Sequence, residues 1–324
     1  MRKKKTLILI GLALAGAAGL GAQGVVEEIA AVVNDDIITV SEVREQHDQY
    51  AQMLRAQYQG EEYEKQYANI KKELMNMMIT EVLILQQARE KNLNVAEQVK
   101  MAVDGIKKEN NLVTDEDLRR ALQQQGIEYD QWIKQVQQNY QKQALIYMEV
   151  DRSIVLDDSE VVQYYKRNPG EFTQPTEYKL GAVYLTDEHV GAAGLEEKRR
   201  EISEKLKAGE DFNSLSAAYS DGPMKDAKGE LGTFKAGELE KALEEPVQKL
   251  KAGEVTDWIQ MKNGWFLLKL EDRKESFLRP FDDVKKDVEE KLFTEKKKTK
   301  VDAYLKALRE KSFIKILKPN PLES

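Results

Sequence analysis

An α+β fold is predicted for this chain: a mostly helical N-terminal part, a second α+β module, and a closing helix and strand. Three observations predict it. Between residues 62 and 152, apolar residues recur at helical spacing, separated by short polar breaks. Between 178 and 270, strand-like and helical runs alternate and end in a hairpin signal at Asn263-Gly264. From 281 to 311 a long charged segment keeps helical spacing, and the short β-branched run SFIKIL follows it.

The elements follow in order. Arg2–Lys5 form a positive stretch, Leu7–Leu20 an apolar one, and Ala22 and Gly24 suit positions −3 and −1 of a cleavage site. Residues 1–24 therefore read as a secretory signal peptide, since the apolar run is shorter than the ~20 residues a spanning helix needs. Cleavage would remove four positive charges and no negative ones, taking the net charge from −7 to −11. Val25–Thr39 reads as a β-hairpin turning at Asn34-Asp35-Asp36, and Thr39 with Glu42 fits a capping box that opens a helix. Leu74, Met75, Met78, Ile79, Val82, Leu83 and Leu85 form a broad apolar helix face. Lys91–Asn94 breaks that helix. Thr114–Asp117 starts another, which ends at Gly126, and Tyr129–Ser153 forms a third. Asp157–Glu160 caps one more, and Pro169-Gly170 with Pro175 mark a boundary.

Tyr178–Leu185 is strand-like, Glu196–Leu206 and Asp211–Tyr219 are helical, and Trp258–Lys262 and Trp265–Leu270 flank the Asn-Gly turn. The intervening segment around Gly229 and Gly232 reads as a glycine-rich turn. Phe281–Lys311 carries Val284, Val288, Leu292, Val301, Tyr304, Leu305 and Leu308 on one side, with Lys296-Lys297-Lys298 as a solvated face.

Composition narrows the chemistry. Of 324 residues, 41% are hydrophobic and 33% charged, which suits a folded rather than a disordered chain. With no cysteine and only His47 and His189, there is no thiol nucleophile, disulfide or Cys/His zinc site. No calcium-loop spacing or nucleotide-binding glycine loop is present, so neither metal, cofactor nor nucleotide is expected. An acidic mature chain does not suit nucleic acid, and no segment after the signal is apolar enough for stable membrane insertion.

The segment Tyr219–Leu270, beginning YSDGPMKDAKGELGTF and ending NGWFLLKL, resembles the C-terminal half of a parvulin-type prolyl isomerase domain. The segments VVEEIAAVVNDDIITVSEVREQ, KKELMNMMITEVLILQQAREKNLNV and TDEDLRRALQQQGIEYDQWIKQVQQNYQKQALIYMEVDRSIVLDDSEVVQYY are similar to the N-terminal domain of SurA-type periplasmic chaperones. The one-module layout also resembles the PrsA foldases, although their lipid-bearing cysteine is missing. The resemblance implies a helical chaperone domain over 25–172, an inserted parvulin-like module over 175–274, and a helix and strand over 280–317 that return to the N-terminal domain.

Carried over by position, the resemblance implies a groove whose chemistry has changed. Ala182 and Phe266 stand where catalytic parvulins carry histidine. Met261 stands at a Ser/Thr position, and Leu239 and Leu243 replace the Met and Phe of the proline pocket. Asp221 keeps the Cys/Asp position and is the single candidate catalytic residue, with turn initiation as its alternative reading. Asp221, Phe234, Leu239, Leu243, Met261 and Phe266 are the candidate peptide-binding residues. Met75, Met77 and Met78 are candidates for client contact or for the core. The function implied is an ATP-independent periplasmic chaperone for unfolded or nascent envelope and outer-membrane proteins, its module no longer catalytic. The alternatives are an active peptidyl-prolyl isomerase and an envelope scaffold.

Overall fold

The computed structural model describes residues 27–186, 191–262 and 264–322. The signal-peptide reading of residues 1–24, and His189, lie outside them. In chain order the elements are β1 (Ile29–Val33), β2 (Asp36–Thr39), α1 (Val40–Gln57), α2 (Gly60–Glu90), α3 (Ala96–Glu109), α4 (Asp115–Gln123) and α5 (Tyr129–Glu149). Then come α6 (Asp158–Arg167), α7 (Pro169–Phe172), β3 (Thr173–Gln174), β4 (Glu177–Leu185), α8 (Gly191–Lys207), α9 (Phe212–Tyr219) and α10 (Pro223–Asp226). The last are β5 (Glu230–Lys235), α11 (Lys241–Gln248), β6 (Ile259–Met261), β7 (Gly264–Lys274), β8 (Phe277–Leu278), α12 (Phe281–Glu310) and β9 (Ile314–Ile316). The chain divides into two compact units, one of Leu156–Glu290 and one of the described residues on either side of that segment.

The first unit is built on the N-terminal hairpin. β1 and β2 pair antiparallel around Asn34, whose φ of 53° is a conformation asparagine tolerates. β9 pairs antiparallel with the other edge of β1, Val33 opposite Ile314 and Ala31 opposite Ile316, giving the order β2-β1-β9. Asn34 fastens this closure: its backbone N–H donates to the Phe313 carbonyl and its side-chain oxygen accepts from the Phe313 N–H, both at 2.8 Å. Gln86 of α2, itself buried, donates to the Val33 carbonyl and to Asp36 and accepts from the Asn34 amide, each at 2.8 Å. Thr39 and Glu42 form the capping box of α1. Ala30, Ala31, Val33, Ile38, Leu74, Ile79 and Leu83 make one core, to which α12 adds Leu308 and Tyr304. A second core joins Val103 of α3, Leu118 and Leu122 of α4, and Trp132 of α5.

The lysine run of α12 is not merely a solvated face. Lys297 pairs with Asp151 at 2.8 Å, Lys296 donates to the Val155 carbonyl and Lys300 to that of Ser153, both at 3.0 Å. These bonds hold the 151–155 connector, which follows α5 as a short 3-10 turn, against the helix.

In the second unit β5-β4-β7-β6 form an antiparallel sheet. The chain enters this unit at Leu156, ahead of the Pro169-Gly170 boundary expected from sequence. Tyr165 of α6 explains why: its hydroxyl donates to the Arg279 carbonyl at 2.6 Å, and its ring meets Phe172 and Phe281 at 5.5 Å. Pro169 occupies the first turn of a short helix, where its missing N–H costs nothing. The segment expected as a glycine-rich turn contains strand β5, which pairs with β4 from Glu177 to Gly181. Its glycines mask strand propensity, and Gly232, at φ 117°, needs their freedom.

Candidate functional site

Alternation along β4 and β7 gives the sheet of the second unit two distinct faces. Val183, Leu185 and Leu267 point to one face and are packed by Leu195 and Ile202 of α8 and Phe212 and Leu215 of α9. Tyr178, Leu180, Ala182, Leu268 and Leu270 point to the other, against Leu243 and Val247 of α11. The candidate peptide-binding residues other than Asp221 lie on this second face.

Its lining follows from register. Ala182 stands opposite Leu268, and both are fully buried. Phe266 stands opposite Tyr184 on one side and Ile259 on the other. The Phe266 and Tyr184 rings lie 4.6 Å apart with their planes tilted by 34°. Phe234, Leu239, Met261 and Phe266 are partly buried and pack against the same core, of which Leu243 is a member. The structure therefore gathers Ala182, Phe234, Leu239, Leu243, Met261 and Phe266 into one apolar cluster. It adds Leu231, beside Gly232, and Met224 and Ile259, which sequence reasoning passed over. The period-2 pattern of Ile259 and Met261 was the available signal.

Asp221 is built into the edge of the sheet instead. On the β5 side the register of β4 ends at Gly181, the Ala182 N–H still donates to the Gly229 carbonyl at 2.8 Å, and from there the end of α9 and the residues after it take over. Ser216, fully buried, donates from Oγ to the Ala182 carbonyl at 2.7 Å and lies 2.9 Å from the Ser220 hydroxyl, which accepts from the Tyr184 N–H. The Asp221 N–H donates to the Tyr184 carbonyl at 2.8 Å, and its carboxylate accepts from the Thr186 N–H at 2.9 Å. Two serines and one aspartate thus satisfy a strand edge that would otherwise be unpaired. Tyr219 anchors this segment to α8 by donating to Glu201 at 2.5 Å and accepting from Lys205 at 2.6 Å. Those two bonds hold the Glu201 carboxyl below and the Lys205 ammonium above their ordinary ranges.

Chemically, the six side chains gathered in the apolar cluster are hydrocarbon apart from the thioether of Met261. At the two positions where the family resemblance expects imidazoles the chain carries a methyl and a phenyl group, neither of which can donate, accept or titrate, and the Ala182 methyl is fully buried. Among the described residues no group of three or more His, Asp or Glu side chains is placed to hold a metal ion. Of the methionines on α2, Met75 is in the core, Met78 packs against it, and Met77 is 38% exposed. His47 bonds to Tyr67 at 2.9 Å and to Asp48 at 3.0 Å, joining α1 to α2.

Comparison with known proteins gives matching results for both units. Residues 26–145 match the SurA N-terminal domain, and residues 156–286 match the PPIC-type PPIase domain. The chain is 29% identical over 255 residues to the chaperone SurA of Methylococcus capsulatus, covering 77% of this chain and 55% of that protein. It is 26% identical over 324 residues to the foldase protein PrsA of Caldanaerobacter subterraneus, covering 95% and 94%. The chain spans little more than half the length of the first curated SurA proteins it matches. A solved structure described as one of two structurally related SurA-like chaperones of Campylobacter jejuni matches at 21% identity, over 87% of this chain and 97% of that one, with a TM-score of 0.40.

Proposed function

For a chain that joins a SurA N-terminal domain to one PPIC-type domain, we propose an ATP-independent chaperone that holds unfolded envelope proteins, outer-membrane proteins among them, in the periplasm. Its isomerase-like unit serves as a binding surface. The observation that supports this most is the pair Ala182 and Phe266. Prolyl isomerisation needs an apolar seat for the ring and polar groups that favour the twisted amide over the planar one. In this reading Leu239, Leu243, Phe234 and Met261, which pack in one cluster, serve as the seat. The polar half is replaced by hydrocarbon, and the Asp221 carboxylate is engaged with Thr186. A groove of this kind gains free energy by burying apolar client side chains, about 25 cal/mol per Å². It binds planar and twisted amides alike, which gives affinity without acceleration.

The match to the PPIC-type domain supports a second reading, an active isomerase relying on desolvation alone. Two assays separate them. The chaperone reading expects suppression of aggregation of a urea-unfolded β-barrel polypeptide at stoichiometric amounts, and no acceleration of cis–trans exchange in a short X–Pro peptide. Aggregation unchanged by the protein would count against the chaperone reading, and acceleration matching a histidine-bearing parvulin against the loss of catalysis.

A further inference from the structure

In the first unit β9 is an edge of the sheet β2-β1-β9. The Phe313 carbonyl accepts from the Asn34 N–H, and the Leu317 N–H donates to the Ala30 carbonyl, both at 2.8 Å. Phe313, Lys315 and Leu317 therefore turn their backbone polar groups toward β1, and by alternation Ile314 and Ile316 turn theirs away from it. Among the described residues nothing forms a hydrogen bond with the N–H or C=O groups of Ile314 and Ile316. The side chains alternate as well. Ile314 packs into the core with Ala31 and Val33, while Phe313, Lys315 and Leu317 share the opposite face with Val32 and Ile37. On that face Phe313 is 62%, Ile37 50% and Leu317 43% exposed. Lys315 is exposed between Phe313 and Leu317 and has no ion pair among the described residues.

We propose that the edge of β9 docks an extended polypeptide segment, which adds as a fourth strand and sets a carboxylate, flanked by apolar residues, opposite Lys315. The proposal rests on the chaperone reading above and names a surface of the first unit for the same clients. The class of occupant follows from the backbone, since N–H and C=O groups at strand spacing are matched by another extended chain. The charge follows from Lys315. In the antiparallel register that pairs all three residues of β9 with a second copy, Lys315 would stand against its counterpart, and like charges directly opposite are destabilising. An acidic side chain at that place is favoured instead. The exposed Phe313 and Leu317 lie two residues to either side and offer apolar contact there.

The probe is a fluorescein-labelled peptide of sequence Ser-Val-Val-Glu-Val-Val-Ser, titrated with the full protein and followed by fluorescence polarisation. In antiparallel register its glutamate lies opposite Lys315, and the two valines beside the glutamate lie opposite Ile314 and Ile316. N-methylation of those two valines removes the N–H groups that would bond to β9 and is expected to weaken binding about tenfold or more. N-methylation of the glutamate, whose N–H points away from β9, is expected to change it less than about twofold. Equal effects of the two methylations, or no binding of the probe, overturn the proposal. Ile316→Pro removes an outward N–H and keeps the bonds to β1, as an edge strand allows. It is expected to weaken binding about fivefold or more, and an unchanged affinity is the contrary result. Should that variant unfold, Lys315→Glu replaces it: a probe with lysine in place of glutamate is expected to bind this variant severalfold more tightly than the original probe, and an unreversed preference overturns the proposal. A dimer that Ile316→Pro dissociates would give the edge to a second copy and also overturn it. Failure of the probe with aggregation suppression intact sinks the edge site alone. Binding as expected without aggregation suppression sinks the chaperone reading and leaves the strand site standing.

Discussion

Replacing Asp221 separates its two readings. The carboxylate accepts from the Thr186 N–H at 2.9 Å, and its neighbour in the chain, Ser220, accepts from the Tyr184 N–H at 3.3 Å. In Asp221→Ala the Thr186 N–H loses a charged acceptor, while the bond from the Asp221 backbone to the Tyr184 carbonyl is kept. A hydrogen bond to a charged group contributes about 1.5–3 kcal/mol. Asp221 is half-buried, so water replaces part of it and the expected loss is about 1–2 kcal/mol. Asp221→Asn keeps a neutral acceptor and should cost less than about 1 kcal/mol. Urea unfolding followed by tryptophan fluorescence is the assay, because Trp258 and Trp265 both lie in the unit that holds Asp221. The two units need not unfold together, so this probe is read separately from the helix signal in circular dichroism. If Asp221→Ala leaves the fluorescence transition unmoved, the edge-capping role is wrong. A drop in an otherwise measurable isomerisation rate at unchanged stability would restore the catalytic one.

Other perturbations test the surrounding structure. Gly264→Ala should lower stability by at least about 2 kcal/mol, because φ is 151° and an added Cβ would lie 2.5 Å from the Leu185 carbonyl and 2.7 Å from the Tyr184 ring. Equal urea midpoints would contradict this. Gln86→Ala removes a buried side chain with three hydrogen bonds and should cost about 2–4 kcal/mol. Faster hydrogen exchange at Phe313–Ile316 is the local readout, since Gln86 holds the asparagine that fastens β9. Hydrogen bonds from the Thr114 side chain, and from the Ser214 backbone, hold Asp117 and Asp211 below the ordinary carboxylate range. Their contribution to stability is present in full above the unfolded value of about 3.9 and is lost as the pH falls through the folded values. The stability gap between the protein and Asp117→Asn or Asp211→Asn should therefore close below about pH 4, as read by urea midpoints across pH 6 to about 2.5.

What was legible in the sequence was local. Thr39 with Glu42, Thr114 with Asp117, and Asp157 with Glu160 cap the helices they were expected to cap, since a capping box is complete within four residues. Phe234, Leu239, Leu243, Met261 and Phe266 were reached through the family resemblance and not through any local pattern, and they pack in one cluster. What was not legible depends on distant partners. β5 hides behind Gly229 and Gly232 until β4 is there to pair with it. The lysines of α12 read as solvated until the 151–155 connector supplies carbonyls. His47 and Tyr67 stand twenty residues apart and meet only because α1 and α2 pack. The aspartate of YSD carries a family position but spends its carboxylate on a strand edge, a contact thirty-five residues away in sequence.

In the proposed function the isomerase-like unit binds proline segments without turning them over. Magnetisation-exchange NMR on an X–Pro peptide in the presence of the protein measures both properties in one sample. Line broadening or shift changes that report binding are expected, with the cis–trans exchange time left at its uncatalysed value of about tens of seconds. Exchange accelerated to the level of a parvulin carrying both histidines would contradict it.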